Sequence, residues 1–161
     1  MRLGRAPLLD LNCFNRPFDD QGQERIRRET EAVFGILERI VEGTDLLGWS
    51  WALDWENARH PIADRREEIS LWRQHAVQMI ELTPAVEEGT RKIHTSGIAG
   101  LDAAHLGCAG AAGADVFLTC DDVLESRARK LIVDSVSVHF GPLPSQAMNP
   151  VVYFEWVKNH G

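Results

Sequence analysis

The sequence predicts an α/β domain in which a parallel sheet is covered on both faces by helices. Short apolar runs alternate with helical patterns along most of the chain, which is how parallel strands and their crossover helices read. Two of those runs close on acids, Asp10 after the first and Asp121 after the fourth. The chain has 161 residues, 44% of them hydrophobic, enough to fill one core and to make residues 1–161 a single domain.

Taken in order, residues 6–11 (APLLDL) read as a buried first strand, and residues 12–23 (NCFNRPFDDQGQ), rich in turn formers, as a long exposed connection. From Glu24 onward Ile26, Thr30, Val33, Phe34, Leu37, Ile40 and Val41 recur at three and four, charged residues fill the other face, and Gly43 stops the pattern. This predicts a helix. Residues 46–51 read as a second strand and 52–57 as a short helix that ends near Pro61, because the residue before a proline avoids helical angles. A third helix is expected over roughly 64–78, a brief strand over 79–82, and a helix over 84–94 with proline in its first turn.

Residues 97–113 (GIAGLDAAHLGCAGAAG) predict a helix of Ala and Gly, whose backbone can approach a sheet closely at some cost in helicity. Residues 115–119 (DVFLT) are the clearest strand, and Asp121 and Asp122 follow at once. A helix over 123–131, a strand over 133–140 and a last helix over 151–158 complete the reading. Residues 141–147 (GPLPSQA) are either an insertion or an approach to another sheet edge.

Charge and cysteine usage narrow the function classes. Seventeen Lys and Arg against 24 Asp and Glu give a net charge of −7, which speaks against a sequence-independent DNA coat or a polybasic membrane binder. The most apolar later stretch, residues 97–118, is interrupted by Asp102, His105 and Asp115, so no membrane segment is expected and a cytoplasmic location is. Cys13, Cys108 and Cys120 form no CxxC pair and read as small core residues in a reducing compartment. There is neither GxGxxG nor GxxxxGK[ST], so nothing points to dinucleotide or nucleoside-triphosphate binding.

In an open parallel sheet, ligands bind beyond the carboxyl ends of the strands where the strand order reverses. If the first and fourth strands flank that point, Asp10 and Asp121 meet there. Asp102, early in the preceding helix, and Glu56, on the short helix after the second strand, are placed to join them. Four carboxylates without matching Lys or Arg raise one another's pKa values unless a divalent cation neutralises them, and oxygen-only ligands suit Mg²⁺ or Mn²⁺. Any one of these acids taken alone reads more readily as a turn or N-cap residue.

Motif order adds to this. LLDLN at 8–12, AGLDAAHLG at 99–107 and FLTCDD at 117–122 resemble the three acidic motifs of PIN domains, the metal-dependent ribonuclease fold that includes the VapC-type toxins. NRPFDDQGQERIRRETEAV at 15–33, SWALDWENARHP at 50–61 and NPVVYFEW at 149–156 are similar to one bacterial subgroup, so the resemblance covers nearly the whole chain. It implies a three-layer α/β/α fold with a central parallel sheet of four to five strands. It also implies four catalytic acids: Asp10, Glu56 (with Asp54 as the alternative two residues earlier), Asp102 and Asp121. Of these, Asp10, Asp102 and Asp121 would be metal ligands. Asn12 matches a polar residue that supports the first acid, and Thr119 a hydroxyl that orients a carboxylate. Arg16, in the NRPF turn beside the first strand, is by its position a better candidate contact for substrate phosphate than Arg25, Arg27 or Arg28, which alternate with acids. Leu11 stands where the family usually has Thr or Ser.

The function this implies is a Mg²⁺- or Mn²⁺-dependent endoribonuclease cutting single-stranded or loop RNA, possible toxin of a toxin–antitoxin pair, with an antitoxin protein as partner. A homodimer is also expected, with some of Trp49, Trp51, Trp55, Trp72 and Trp156 at its interface. Base stacking by the first three is the rival use of those rings. His105, three residues after Asp102, reads as a packed, hydrogen-bonded histidine rather than a ligand. Two rivals remain: a non-catalytic PIN-fold module that binds RNA or protein, and a phosphatase of the haloacid-dehalogenase type. The latter wants an acid where Asn12 stands, because an amide cannot transfer the proton.

Overall fold

A computed structural model describes residues 5–135 and 142–160. Strands β1 (Pro7–Leu9), β4 (Val116–Leu118) and β5 (Gln146–Met148) form one parallel sheet in the order β1-β4-β5. Strands β2 (Leu47–Ser50) and β3 (Ala76–Ile80) form a second parallel pair. Among the described residues the hydrogen-bonded central sheet therefore has three strands, not four or five. The pair β2–β3 is tied to β1 at its start, by a parallel bridge between Arg5 and Asp45 and a 2.6 Å bond from the Leu46 N–H to the Arg5 carbonyl. Farther along, the ladder lapses for a reason visible in the sequence. Alternate residues of a strand present their backbone groups to opposite neighbours, and since Asp10 donates to β4 and Arg5 accepts from the β2 side, Pro7 faces β2 with no N–H to give.

Side chains on β1 and β4 alternate between two apolar layers, as period two requires. Leu8 and Phe117 pack on one side with Val86 and Ile93 of α5 (Pro84–Thr95), Ala103 and Leu106 of α6 (Gly100–Ala111), and Leu124 and Ala128 of α7 (Asp122–Asp134). Leu9, Val116 and Leu118 pack on the other with Val33, Ile36 and Leu37 of α2 (Glu24–Val41) and Tyr153 and Val157 of α8 (Pro150–His160). The result is the three-layer α/β/α arrangement. Three short elements complete it: α1 (Leu11–Asn15), α3 (Trp51–Ala58) and α4 (Ala63–Ser70).

Several expectations need correction. Residues 12–23 are not one exposed connection: α1 forms at once after Asp10, buries Leu11, Cys13 and Phe14, and runs into a 3-10 turn at Arg16–Phe18. The helix expected over 64–78 ends at Ser70, a 3-10 turn covers Leu71–His75, and β3 starts at Ala76 instead of Met79. The strand expected over 133–140 begins inside α7, which continues through Asp134; residues 136–140 lie outside the described ones. The Ala/Gly helix α6 makes its close approach to another helix instead of the sheet. A Cβ on Gly107 would lie 3.3 Å from the Thr90 backbone on α5, and one on Gly110 would collide with the Pro142 carbonyl. Trp49 is fully buried in the core, so it is unavailable to an interface, whereas Trp55 and Trp156 are exposed. No helix among the described residues is long and apolar enough to cross a membrane.

Candidate metal centre and active site

The sheet order puts β1 and β4 side by side although 107 positions separate Leu9 from Val116, and the chain leaves β1 toward β2 on the other side. The order thus reverses between β1 and β4, and Asp10 and Asp121 stand just beyond their carboxyl ends. Each acid occupies the N-cap position of a helix, but only one caps. Asp121 Oδ1 accepts the Val123 and Leu124 N–H groups at 2.9 and 3.1 Å. Asp10 makes no cap bond. Its Oδ2 instead accepts the Thr119 hydroxyl at 2.9 Å and the Asn12 amide at 3.0 Å.

Those two partners are fixed in turn. Asn12 Nδ2 also donates to Thr119 Oγ1, at 3.0 Å, and Asn12 Oδ1 accepts the Cys120 N–H at 3.0 Å. The same hydroxyl oxygen accepts the Asp121 N–H at 3.1 Å. Asn12 and Thr119 thus lock the end of β1 to the end of β4 and set the direction of the Asp10 carboxylate. Leu11, where the related motif carries a hydroxyl, is buried in the core.

The acids come together unevenly. One ligand atom each from Asp10, Glu56 and His105 lies within 4.8 Å of the others. His105 Nε2 is 3.2 Å from Glu56 Oε1 and 3.7 Å from Asp10 Oδ1. Asp102 is outside that tight set but feels it: burial raises its carboxyl pKa, and the charges of Asp10, Asp121 and Glu56 raise it further against His105. Asp54 turns elsewhere, accepting the Trp49 indole N–H at 2.8 Å and facing Arg73 at 3.6 Å. Glu56 is therefore the α3 acid that meets Asp10.

His105, expected from the sequence to be a packed histidine and not a ligand, stands among the acids. It is fully buried and hydrogen-bonded, as expected of a packed histidine, but its partner is Glu56. The signal was the i, i+3 spacing from Asp102, which puts both on one helix face. Arg16, the expected phosphate contact, directs Nε to Glu29 and Nη1 to Asp19, both at 2.9 Å, so two carboxylates already balance its charge. Arg25 grips Asp122 through both Nη atoms at 2.7 Å and the Cys120 carbonyl at 3.0 Å, bracing α2 against the end of β4.

Burial pushes the Asp10 carboxyl up, with the His105 charge and the Thr119 bond pulling it only part of the way back. Burial disfavours the charged form of His105, but the Glu56 bond and the charges of Asp10, Glu56 and Asp102 outweigh it, so its pKa is raised. All three groups, Asp10, Asp102 and His105, therefore hold protons more tightly folded than unfolded. Stability of the metal-free protein must fall as pH rises through their folded pKa values. In EDTA the melting temperature is expected to be higher at about pH 5.5 than at about pH 8, with Asp10→Asn flattening the difference. A melting temperature that climbs toward the alkaline side would contradict this electrostatic picture.

Together these features define a PIN-like α/β/α fold with its acids at the switch point. Among solved structures, the fold is similar to the crystal structure of VapBC2 from Rickettsia felis bound to a DNA fragment from their promoter. The TM-score is 0.53 at 9% sequence identity, over 89% of this chain and 97% of the other. No family model and no curated protein sequence matches the chain.

Proposed function

We propose that this chain is a divalent-metal-dependent endoribonuclease of single-stranded or loop RNA, acting in the cytoplasm as the toxin of a toxin–antitoxin pair. The observation that carries the reading is the convergence of Asp10, Glu56 and His105 beside Asp102 at the switch point of a PIN-like sheet. The donor set fits a cation: a buried carboxyl, a second acid and an imidazole nitrogen lie within 4.8 Å of one another. Asp10, Asp102 and Asp121 would hold Mg²⁺ or Mn²⁺, with Glu56 as a further ligand. When bound, such an ion supplies Lewis-acid charge at the phosphoryl group and acidifies water.

The chain's own residues do the rest. Thr119 and Asn12 fix the Asp10 carboxylate, so the negative charge that attracts the cation does not swing away. In the alternative role, as a base in place of a ligand, Glu56 is partly exposed where Asp10 is buried and so is the acid able to reach solvent and take a proton from the attacking water. In-line attack of that water on phosphorus breaks the P–O3′ bond, and the leaving oxygen takes a proton from solvent, giving 5′-phosphate and 3′-hydroxyl ends. Arg16 would reach substrate phosphate only by letting go of Asp19, since Asp19 and Glu29 already balance its charge. The VapBC2 complex argues for an antitoxin partner encoded beside this chain, and the exposed Trp55 and Trp156 suit a homodimer interface.

Labelled single-stranded RNA incubated with the wild-type chain in Mn²⁺ and in EDTA, beside a small phosphomonoester, tests the reading. Cleavage in Mn²⁺ alone, with 5′-phosphate products, is expected. Hydrolysis of the monoester without RNA cleavage would favour a phosphatase, and RNA binding without cleavage a non-catalytic module.

A further inference from the structure

The ligand set expected from the sequence consists of oxygens alone, yet the group of donors around Asp10 contains a nitrogen. His105 Nε2 faces both Glu56 Oε1 and Asp10 Oδ1, at 3.2 and 3.7 Å. The imidazole is fully buried, and its Nδ1 has no hydrogen-bond partner among the described residues. A buried polar atom left unpaired costs about 1–3 kcal/mol, so an apolar side chain of similar size would serve the packing of α6 better. What this histidine gains lies on the Nε2 edge, and that edge points at two carboxylates from two other elements, the end of β1 and α3. Its place three residues after Asp102 brings it to the same helix face as another acid of the cluster.

We propose that His105 Nε2 is a metal ligand beside Asp10 and Glu56, so that the centre is a mixed nitrogen–oxygen site that takes Mn²⁺ in preference to Mg²⁺. The inference rests on the metal-dependent reading above and adds to it the donor and the selectivity. Mg²⁺ is bound by oxygens and gives up its waters reluctantly, whereas imidazole suits first-row transition ions. A site of oxygens alone would favour Mn²⁺ much less.

Pulsed electron paramagnetic resonance of Mn²⁺ bound to the full chain reads the donor directly, without reference to activity. A directly bonded imidazole nitrogen gives a hyperfine coupling that must change when the protein carries ¹⁵N-histidine. That coupling is expected in the wild type and is lost in His105→Gln. In that variant the Mn²⁺ Kd should rise about 10-fold or more while the Mg²⁺ Kd stays within about threefold. Stoichiometric Mn²⁺ binding without a histidine coupling would overturn the inference and leave the metal-dependent reading standing. Absence of saturable Mn²⁺ binding would overturn both. Equal weakening of both ions in the variant would refute the selectivity. Because the label marks all six histidines, His105→Asn is read in the same way should His105→Gln not fold.

Discussion

Asp10→Asn is expected to lower RNA cleavage at least about 100-fold while raising the melting temperature of the metal-free protein. The amide keeps the shape of the side chain and an oxygen to accept from Thr119 and Asn12, so the lock between β1 and β4 survives. What it removes is a buried negative charge beside Glu56 and Asp102. That charge is unfavourable without a cation, because burial and like-charge neighbours both penalise it. Its removal should stabilise the metal-free fold by about 1–2 kcal/mol, or about 2–8 °C for a chain of this size. Mn²⁺ should then raise the melting temperature of the wild type and hardly move that of the variant. A variant that is both inactive and less stable would mean that Asp10 is a structural residue.

Glu29→Ala should cause a large loss of stability. Glu29 sits on α2 only 1% exposed and accepts Arg16 Nε at 2.9 Å, Arg25 at 3.5 Å and the Asn149 amide. It thus joins the 3-10 turn after α1, the N-terminal half of α2 and the residue that precedes α8. Its loss leaves Arg16 with Asp19 and Arg25 with Asp122, so the cost comes from the buried donors of Arg16 and Asn149 losing their acceptor, about 1–3 kcal/mol. Urea unfolding should show a midpoint shifted by that amount with an unchanged slope. Because Arg25 also holds the Cys120 carbonyl next to Asp121, the variant should bind Mn²⁺ more weakly even where it is folded. A change below about 1 kcal/mol would mean that this network is solvated and contributes as an ordinary surface pair.

How much of this was legible in the sequence depended on whether a residue's role is local. The helix from Glu24 to Val41 and the strand around Phe117 could be read because apolar spacing over a long or regular segment reports burial. The places of Asp10 and Asp121 at strand ends could be read, but the tight group around Asp10 is completed by Glu56 and His105, not by Asp102 and Asp121. The helix α1 was hidden because its burial of Leu11, Cys13 and Phe14 occupies five residues in a stretch otherwise full of turn formers. Strand β3 was misplaced because Val77, Gln78 and Met79 are all exposed at a sheet edge, so no alternation marks them. Strand β5 has three residues and owes its pairing to β4 rather than to its own pattern.

The site shows the same divide. Asn12 and Thr119 were anticipated as supports of the first acid, yet their mutual bond exists only because β1 lies against β4. The partners of Arg16 lie three residues along the chain, at Asp19, and thirteen along, at Glu29, and the second distance has no sequence signature. His105 could be judged only as a histidine on a small-residue helix. What distinguishes it is the arrival of Glu56 from α3, 49 positions earlier.

The central claim is that acids gathered at the β1–β4 switch point hold a divalent cation. Diffraction from crystals grown with Mn²⁺, recorded at the manganese absorption edge, tests this most directly. The account predicts an anomalous peak bounded by the Asp10 and Glu56 carboxylates and His105 Nε2, absent from crystals of Asp10→Asn. Ordered density for these side chains with no manganese among them, at a concentration that supports cleavage, would contradict it.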